Sequence, residues 1–184
     1  GKDAFKQTAD RDTTALSACL KWFDVRAFGQ VFAFAKGDDA SGVSIPVRGP
    51  VTVQSAFSVD PVDITSSQIT KSVSGEGDGS KRGSDTMGMK HRVDQAVYRF
   101  YGSMNPQLAE RTGFSDTDAE AIKQVLPKLF ENDESSARPA GSMEVVYVFW
   151  WEHNCKSGQF SSAKVHRSLI VNSDGSFELS ELDG

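Results

Sequence analysis

Hydrophobic and polar residues alternate most regularly in the stretch that follows Pro50. Apolar side chains occupy one parity there, and the positions between them are mostly polar. A period of two is typical of a strand that buries one face and exposes the other. Pro46 and Pro50 lack a backbone donor, so regular ladder pairing is expected to begin after Pro50. The apolar positions of this predicted strand are Val51, Val53, Phe57 and Val59.

The residues before this strand predict a short helix followed by another strand. Asp12 or Thr13 is a favourable N-cap, and apolar residues then recur at helical spacing. The run 22–36 is strongly apolar and predicts a strand that ends at a Gly/Asp-rich turn. The apolar positions of the predicted helix are Leu16, Cys19, Leu20 and Phe23.

Further strands are predicted in the second half of the chain. Residues 96–102 and 163–171 each have strand character, and 64–73 is a Ser/Thr-rich extended segment. Residues 143–151 are apolar on both parities, which favours a central strand that is covered on both faces. Because strands and helices mix irregularly, an α+β fold with a mainly antiparallel sheet is favoured over a doubly wound one.

Two helical segments lie between these strands. Residues 106–111 predict a helical turn, and Ser115 with Asp118 resembles a capping box that opens a second helix. Pro127 should kink or divide that second helix, because an interior proline removes a backbone hydrogen bond.

Polar segments set the predicted domain boundaries. Residues 1–11 predict a frayed tail, and 173–184 an acidic C-terminal tail. The stretch 74–84 has four glycines and no apolar residue, so it predicts a mobile loop, which we extend over 74–94. A chain of 184 residues with 38% hydrophobic content is expected to form one domain, here 12–172.

Composition and motifs exclude several classes of function. Cys19 and Cys155 lie in no Cys/His cluster, and the three histidines are far apart, so neither a metal site nor another cofactor is expected. No G-x-S-x-G elbow is present. No apolar run reaches the length of a membrane span, and no signal peptide opens the chain, which favours a soluble, cytoplasmic protein without membrane contact.

The net charge of −5 argues against a protein that coats nucleic acid, because phosphate binding depends on Lys and Arg. The acidic residues are concentrated in 116–134 and after residue 173, so a local basic groove remains compatible with the composition.

Arg26 and Arg48 are the first candidates for such a groove, because both lie close to glycines. Arginine offers a planar fork of donors, and glycine allows a ligand to approach the backbone. The structural alternative, in which Arg26 pairs with a neighbour such as Asp24, is equally favoured by these residues alone. Gly29, Gly49 and Gln54 complete this candidate set.

A second candidate set follows the predicted loop. Lys90, His91 and Arg92 are consecutive donors that suit a phosphate, although an ordinary solvated cluster is favoured by sequence alone. Lys71 ends the segment before the loop. Tyr98, Arg99 and Tyr101 suit stacking on bases, but no RNP-type octamer is present.

Four runs carry a resemblance to a known family. FDVRAFG, RGPVTVQSAFSVDPV, TMGMKHRV and LAERTGFS occur in this order. Together they resemble the Csd/Csh family of CRISPR-associated proteins, over about residues 16 to 171. That family supplies the backbone subunit of type I Cascade surveillance complexes, and type I-C is the closest fit.

The resemblance implies a modified RRM-like, or ferredoxin-like, antiparallel sheet with helices on one face and a long flexible loop insertion. Members of the family usually open with a strand and a long helical region. This chain is expected to start after both, and Gly1 in place of an initiator Met suggests a fragment or a processed chain.

The resemblance also implies a function, a non-catalytic subunit that polymerises head-to-tail along CRISPR guide RNA. It would hold the phosphates so that the bases pair with target DNA, beside other Cascade subunits. Two alternatives stay open: a metal-independent endoribonuclease with His91 or His166 as general base, and a scaffold that contacts only proteins. The residues predicted to bind RNA are Arg26, Gly29, Arg48, Gly49, Gln54, Lys71, Lys90, His91 and Arg99.

Overall fold

The computed structural model of the chain describes residues 11–34, 43–70 and 87–182. These residues form two compact units, which are described separately. The prediction of a single domain over 12–172 stays a prediction. Unit 1 contains residues 11–34, 43–55, 100–169 and 180–182, and unit 2 contains 56–70, 87–99 and 170–179.

The helices lie in unit 1. The predicted first helix is confirmed, but its buried face differs from the expected one. Thr14, Ala18 and Cys19 are buried, whereas Leu20 is 72% exposed. None of the helices in the described ranges is long and apolar enough to cross a membrane. The helices are α1 (Arg11–Lys21), α2 (Phe23–Phe28), α3 (Pro106–Thr112), α4 (Asp116–Val125) and α5 (Ser162–Arg167).

The ends of α3 and α4 follow their local sequence. The Asn105 side chain caps α3, and α4 opens with the predicted capping box, in which Ser115 and Asp118 bond each other's backbone. The predicted break at Pro127 is also confirmed, because α4 stops at Val125 and a 3-10 helix, Leu126–Lys128, follows it. Capping chemistry and proline geometry depend on near neighbours, which explains why the sequence predicts them.

Two antiparallel ladders form the strands of unit 1. Strand β1 (Gly29–Phe34) pairs with β2 (Val43–Arg48), and β3 (Val51–Val53) pairs with β8 (Gly102–Met104). Pairing therefore begins before Pro50, and that prediction is wrong. Pro46 lies within β2 opposite Val31, in a sheet of two strands where every strand is an edge strand and tolerates proline.

Two apolar runs of unit 1 adopt other structures than predicted. Residues 23–28 form α2 rather than a strand, with Val25 and Ala27 buried, and α5 occupies the first half of the predicted strand 163–171. No strand is assigned to 143–151 among the described residues, so the predicted central strand is wrong. Short apolar runs fit helix and strand alike, which is why periodicity did not separate them.

Unit 2 is built from strand pairs. The predicted strand after Pro50 divides, because β4 is a separate element in this unit. Met87–Val93, expected within a mobile loop, is a seven-residue strand, and a strand also lies in the predicted acidic tail. Residues 71–86 lie outside the described ranges. The pairs are β4 (Phe57–Ser58) with β7 (Tyr98–Arg99), β5 (Ile64–Thr70) with β6 (Met87–Val93), and β9 (Leu169–Val171), whose first residue belongs to unit 1, with β10 (Phe177–Leu179).

The buried cluster of unit 1 is small. Ala18, Cys19 and Val25 form it, and Trp22, Phe32 and Val47 pack against it. The predicted inner face of the strand after Pro50 is only partly buried, since Val51 is buried while Val53 is 58% and Phe57 69% exposed. The mixture of helices and antiparallel ladders is of the α+β kind, and the RRM-like arrangement stays a prediction.

Candidate nucleic-acid interface

The junction between α2 and β1 brings Gly29 and Gly49 together. Gly29 ends α2 with a φ of +83°, a left-handed conformation that favours glycine. A β-carbon on Gly29 would meet the carbonyl oxygen of Val47, and one on Gly49 would meet the carbonyl oxygen of Ala27. The space beside both glycines is therefore filled by the chain's own backbone. Both glycines are needed for this close packing, and their role in RNA binding stays a prediction.

Arg48 lies at this junction with its side chain in solvent. It is the last residue of β2 and is paired with Gly29 across the ladder. Its residue is exposed, and within the described ranges no side chain or carbonyl engages its guanidinium. Because a guanidinium is planar and remains charged, it suits a phosphate at this position. The structure thus leaves Arg48 available for an anionic ligand.

Gln54 lies just after β3 in the same unit. Its residue is exposed, and its backbone N–H donates to the carbonyl oxygen of Tyr101 at 2.8 Å. The bond extends the pairing of β3 with β8 by one step. The amide side chain therefore projects from a backbone that is held in place.

Arg26 lies on α2 and is engaged by a distant carboxylate. Its Nη2 and Nε donate to the two oxygens of Asp118 at 2.7 and 3.0 Å, and its Nη1 donates to the Cys19 carbonyl at 3.4 Å. The strand placement of Arg26 is wrong, and its partner is Asp118 rather than Asp24. A phosphate would have to displace this paired carboxylate, so Arg48 is the better candidate for direct contact.

The carboxylate of Asp118 accepts hydrogen bonds from Ser115 as well as from Arg26. Its residue is only 8% exposed, and one carboxylate oxygen also accepts the Ser115 backbone N–H at 2.9 Å. The hydrogen bond from the Arg26 side chain, followed by those from Ser115, lowers the pKa of Asp118 to about 2 against the opposing effect of burial. The same hydrogen bond raises the pKa of Arg26. The pair therefore stays ionised at neutral pH.

The β5–β6 ribbon of unit 2 separates the predicted Lys90–His91–Arg92 cluster. Side chains alternate between the faces of a strand, so Lys90 and Arg92 lie on one face and His91 on the other. His91 Nδ1 and Ser66 Oγ are hydrogen-bonded at 2.8 Å, and Arg92 pairs with Asp94 at 2.8 Å. The three side chains therefore do not share one face, and their contact with RNA stays a prediction.

The two aromatic candidates have different surroundings. Tyr98 is 48% exposed in β7, next to the exposed Arg99, which is paired with Phe57. Tyr101, in unit 1, stacks on His166 with ring centroids 4.0 Å apart and an interplanar angle of 17°. Its hydroxyl donates to the His166 carbonyl at 3.2 Å. Tyr101 therefore has a structural partner.

The structure thus brings Gly29, Arg48 and Gly49 together in unit 1, and Lys90 and Arg92 onto one ribbon face in unit 2. Lys71 lies outside the described residues. The contact of Asp118 with Arg26 was not predicted from the sequence, in which the capping box is its only local signal. In the described part of the chain, no group of three or more His, Cys, Asp or Glu side chains is placed to hold a metal ion.

The family of the chain follows from comparison with known proteins. The family model described as CRISPR-associated protein Cas7 matches residues 2–181. The chain therefore belongs to the Cas7 family.

One relative and one solved structure are similar to parts of this chain. The CRISPR-associated protein Cas7 of Haloferax volcanii is 26% identical over an alignment of 136 residues that covers 68% of this chain and 40% of the relative. The match thus spans less than half of that relative's length. A chain in a solved structure described as "CRISPR RNA-guided surveillance complex, pre-nicking" has a TM-score of 0.35 and 19% identity, over 64% of this chain and 31% of that one.

Proposed function

We propose that the chain is a non-catalytic, CRISPR RNA-binding part of the backbone of a type I Cascade surveillance complex. Within that class we propose the Csd/Csh family of type I-C, which its four ordered motifs resemble. The observation that carries this proposal is the match to the Cas7 family along residues 2–181. We propose the cytoplasm as its location.

The chemistry of the exposed cations supports contact with phosphates rather than with bases. Arg48 presents a guanidinium beside a rigid glycine junction, and Lys90 and Arg92 share one face of the ribbon. Contacts of this kind position nucleic acid without reading its sequence. The bases of the guide would then stay available to pair with target DNA, which supplies the specificity.

The proposed assembly is a row of identical subunits along the guide. A head-to-tail interface does not close on itself and generates a filament, whose length the RNA would set. Because the net charge is −5, the chain as a whole does not attract RNA. Binding would depend on cations that are grouped on one part of the surface. Other Cascade subunits would bind the ends of the row.

We propose that the chain does not cleave RNA. A general base needs to be within reach of the proton that it removes and is usually oriented by a second group. His91 is bonded to a serine hydroxyl, and His166 stacks on Tyr101. Neither has a carboxylate partner within the described residues.

The salt dependence of RNA binding tests this proposal. Affinity is measured for two unrelated single-stranded guide RNAs over a range of salt concentrations, with the wild type and Arg48→Ala. For each phosphate contact removed, the log–log slope should fall by about 0.7, equally for both RNAs. Arg138→Ala is the matched control, because it removes the same charge from an arginine that is already paired with Asp133.

Three outcomes contradict the proposal. RNA affinity that ignores salt would favour a scaffold that contacts only proteins. Equal slopes for Arg48→Ala and Arg138→Ala would remove Arg48 from the interface. Cleavage of the RNA by the wild type would favour the endoribonuclease.

A further inference from the structure

Helix α2 depends on contacts outside itself. It has six residues, and its N-cap, Trp22, makes no side-chain capping bond. Helices this short are unstable alone, because nucleation costs more than a few hydrogen bonds return. The two hydrogen bonds of Arg26 to Asp118 attach α2 to the first turn of α4, 92 residues along the chain. The position of α2 is therefore set partly by Asp118.

The position of α2 is transmitted to Arg48 through backbone atoms. A β-carbon on Gly49 would overlap the carbonyl oxygen of Ala27 and the carbonyl carbon of Phe28, both in α2. Arg48 lies between Gly49 and Val47 and is paired with Gly29 across the ladder. The backbone atoms of α2 and Gly49 touch directly, with no flexible side chain between them. A shift of α2 therefore moves the backbone that carries Arg48.

The two arginines near this junction differ in their surroundings. Arg26 is hydrogen-bonded to Asp118 and to the Cys19 carbonyl, while Arg48 is exposed and no described residue engages its guanidinium. Arg26 therefore fixes the position of α2, whereas Arg48 faces solvent. An arginine binds a phosphate more tightly when the backbone that carries it is fixed, because less conformational entropy is lost on binding.

We propose that Asp118 is a positioning residue for RNA binding, which holds Arg26 and thereby α2, so that Arg48 meets a phosphate from a fixed backbone. Asp118 itself does not touch the RNA. This inference rests on the proposed function, because it assigns the phosphate contact to Arg48.

A double-mutant cycle between Asp118→Asn and Arg48→Ala tests the inference. Affinity for one single-stranded guide RNA is measured for the wild type, both single variants and the double variant. Asp118→Asn should weaken binding about threefold to tenfold in the wild-type background and cause no further loss when Arg48 is already alanine. Asp133→Asn is the control, because it breaks another Asp–Arg pair, in the 131–142 segment. It should leave affinity unchanged.

A thermal melt establishes that each variant is folded at the assay temperature. Arg26→Lys is the second variant, since it keeps a positive charge near Asp118 and loses the forked hydrogen bonds. If Asp118→Asn does not fold, the cycle is run with Arg26→Lys, which should show the same dependence on Arg48.

The outcomes separate this inference from the proposed function. Equal losses with and without Arg48 would show general damage and overturn the positioning role, as would no loss at all in the folded variants. If the wild type binds no RNA, or if Arg48→Ala binds like the wild type, the proposed RNA contact fails first and the positioning role falls with it.

Discussion

The amide nitrogen of Gly49 lies 2.6 Å from the point where a β-carbon on Gly29 would stand. Two backbone segments thus meet where neither has room for a side chain. The spacing between α2 and the end of β2 depends on both glycines. It is also the feature that the sequence alone assigned to ligand binding.

We expect Gly29→Ala to destabilise unit 1 severely. The β-carbon would overlap backbone atoms and the positive φ would strain the alanine, with a combined loss of at least about 3 kcal/mol of unfolding free energy. Chemical denaturation measures this. Gly141→Ala is the matched control, because Gly141 has a φ of +74° with nothing within 4 Å, and its loss should be about 1 kcal/mol. Similar losses for both variants would contradict the close contact.

Asp118 should contribute to stability in a way that depends on pH. The folded pKa of Asp118, about 2, lies below the ordinary value of 3.8, so its contribution is complete above about pH 5 and is lost as the pH falls towards 2. A shift of this size corresponds to about 2 kcal/mol. Denaturation of the wild type and Asp118→Asn from pH 7 to pH 2 should show a difference that shrinks with acid. A difference that is constant with pH would contradict the ion pair.

The two faces of the β5–β6 ribbon should differ in RNA binding. Lys90→Ala should reduce the salt slope by about 0.7, because it removes a cation from the face that carries Arg92. His91→Ala changes the opposite face, where its ring is bonded to Ser66. Its slope should equal that of the wild type. The proposal for Lys90 would be lost if the two variants behaved alike.

RNA should remain intact in the presence of the protein. Labelled guide RNA, incubated with the wild type and separated on a denaturing gel, is expected to keep its length for hours. His91→Ala and His166→Ala should give the same gel, because neither histidine is placed as an oriented general base. Cleavage that disappears in one of these variants would establish the endoribonuclease instead.

Local chemistry was predictable from the sequence. The Ser115 capping box, the start of α3 at Pro106 and the interruption by Pro127 all follow from side chains within a few positions of one another. Such features depend on capping and backbone geometry, which hold in almost any tertiary context.

The remaining features depend on tertiary contacts. The run 23–28 fits a helix or a strand by its periodicity, and the packing of Val25 and Ala27 decides for the helix. No short-range signal in the sequence pairs Arg26 with Asp118. That Lys90 and His91 lie on opposite faces follows only once 87–93 is known to be a strand. The candidate cations were therefore identifiable by type, while their surroundings were not.

The ion pair between Arg26 and Asp118 has a consequence for how this chain tolerates variation. It joins two points 92 positions apart, and residues 56–99, which belong to unit 2, lie within the segment that it closes. The entropy of closing a segment grows only with the logarithm of its length, so even doubling the whole closed segment costs only about 0.6 kcal/mol. This chain should therefore tolerate a longer or shorter insertion, provided that both anchoring residues are retained.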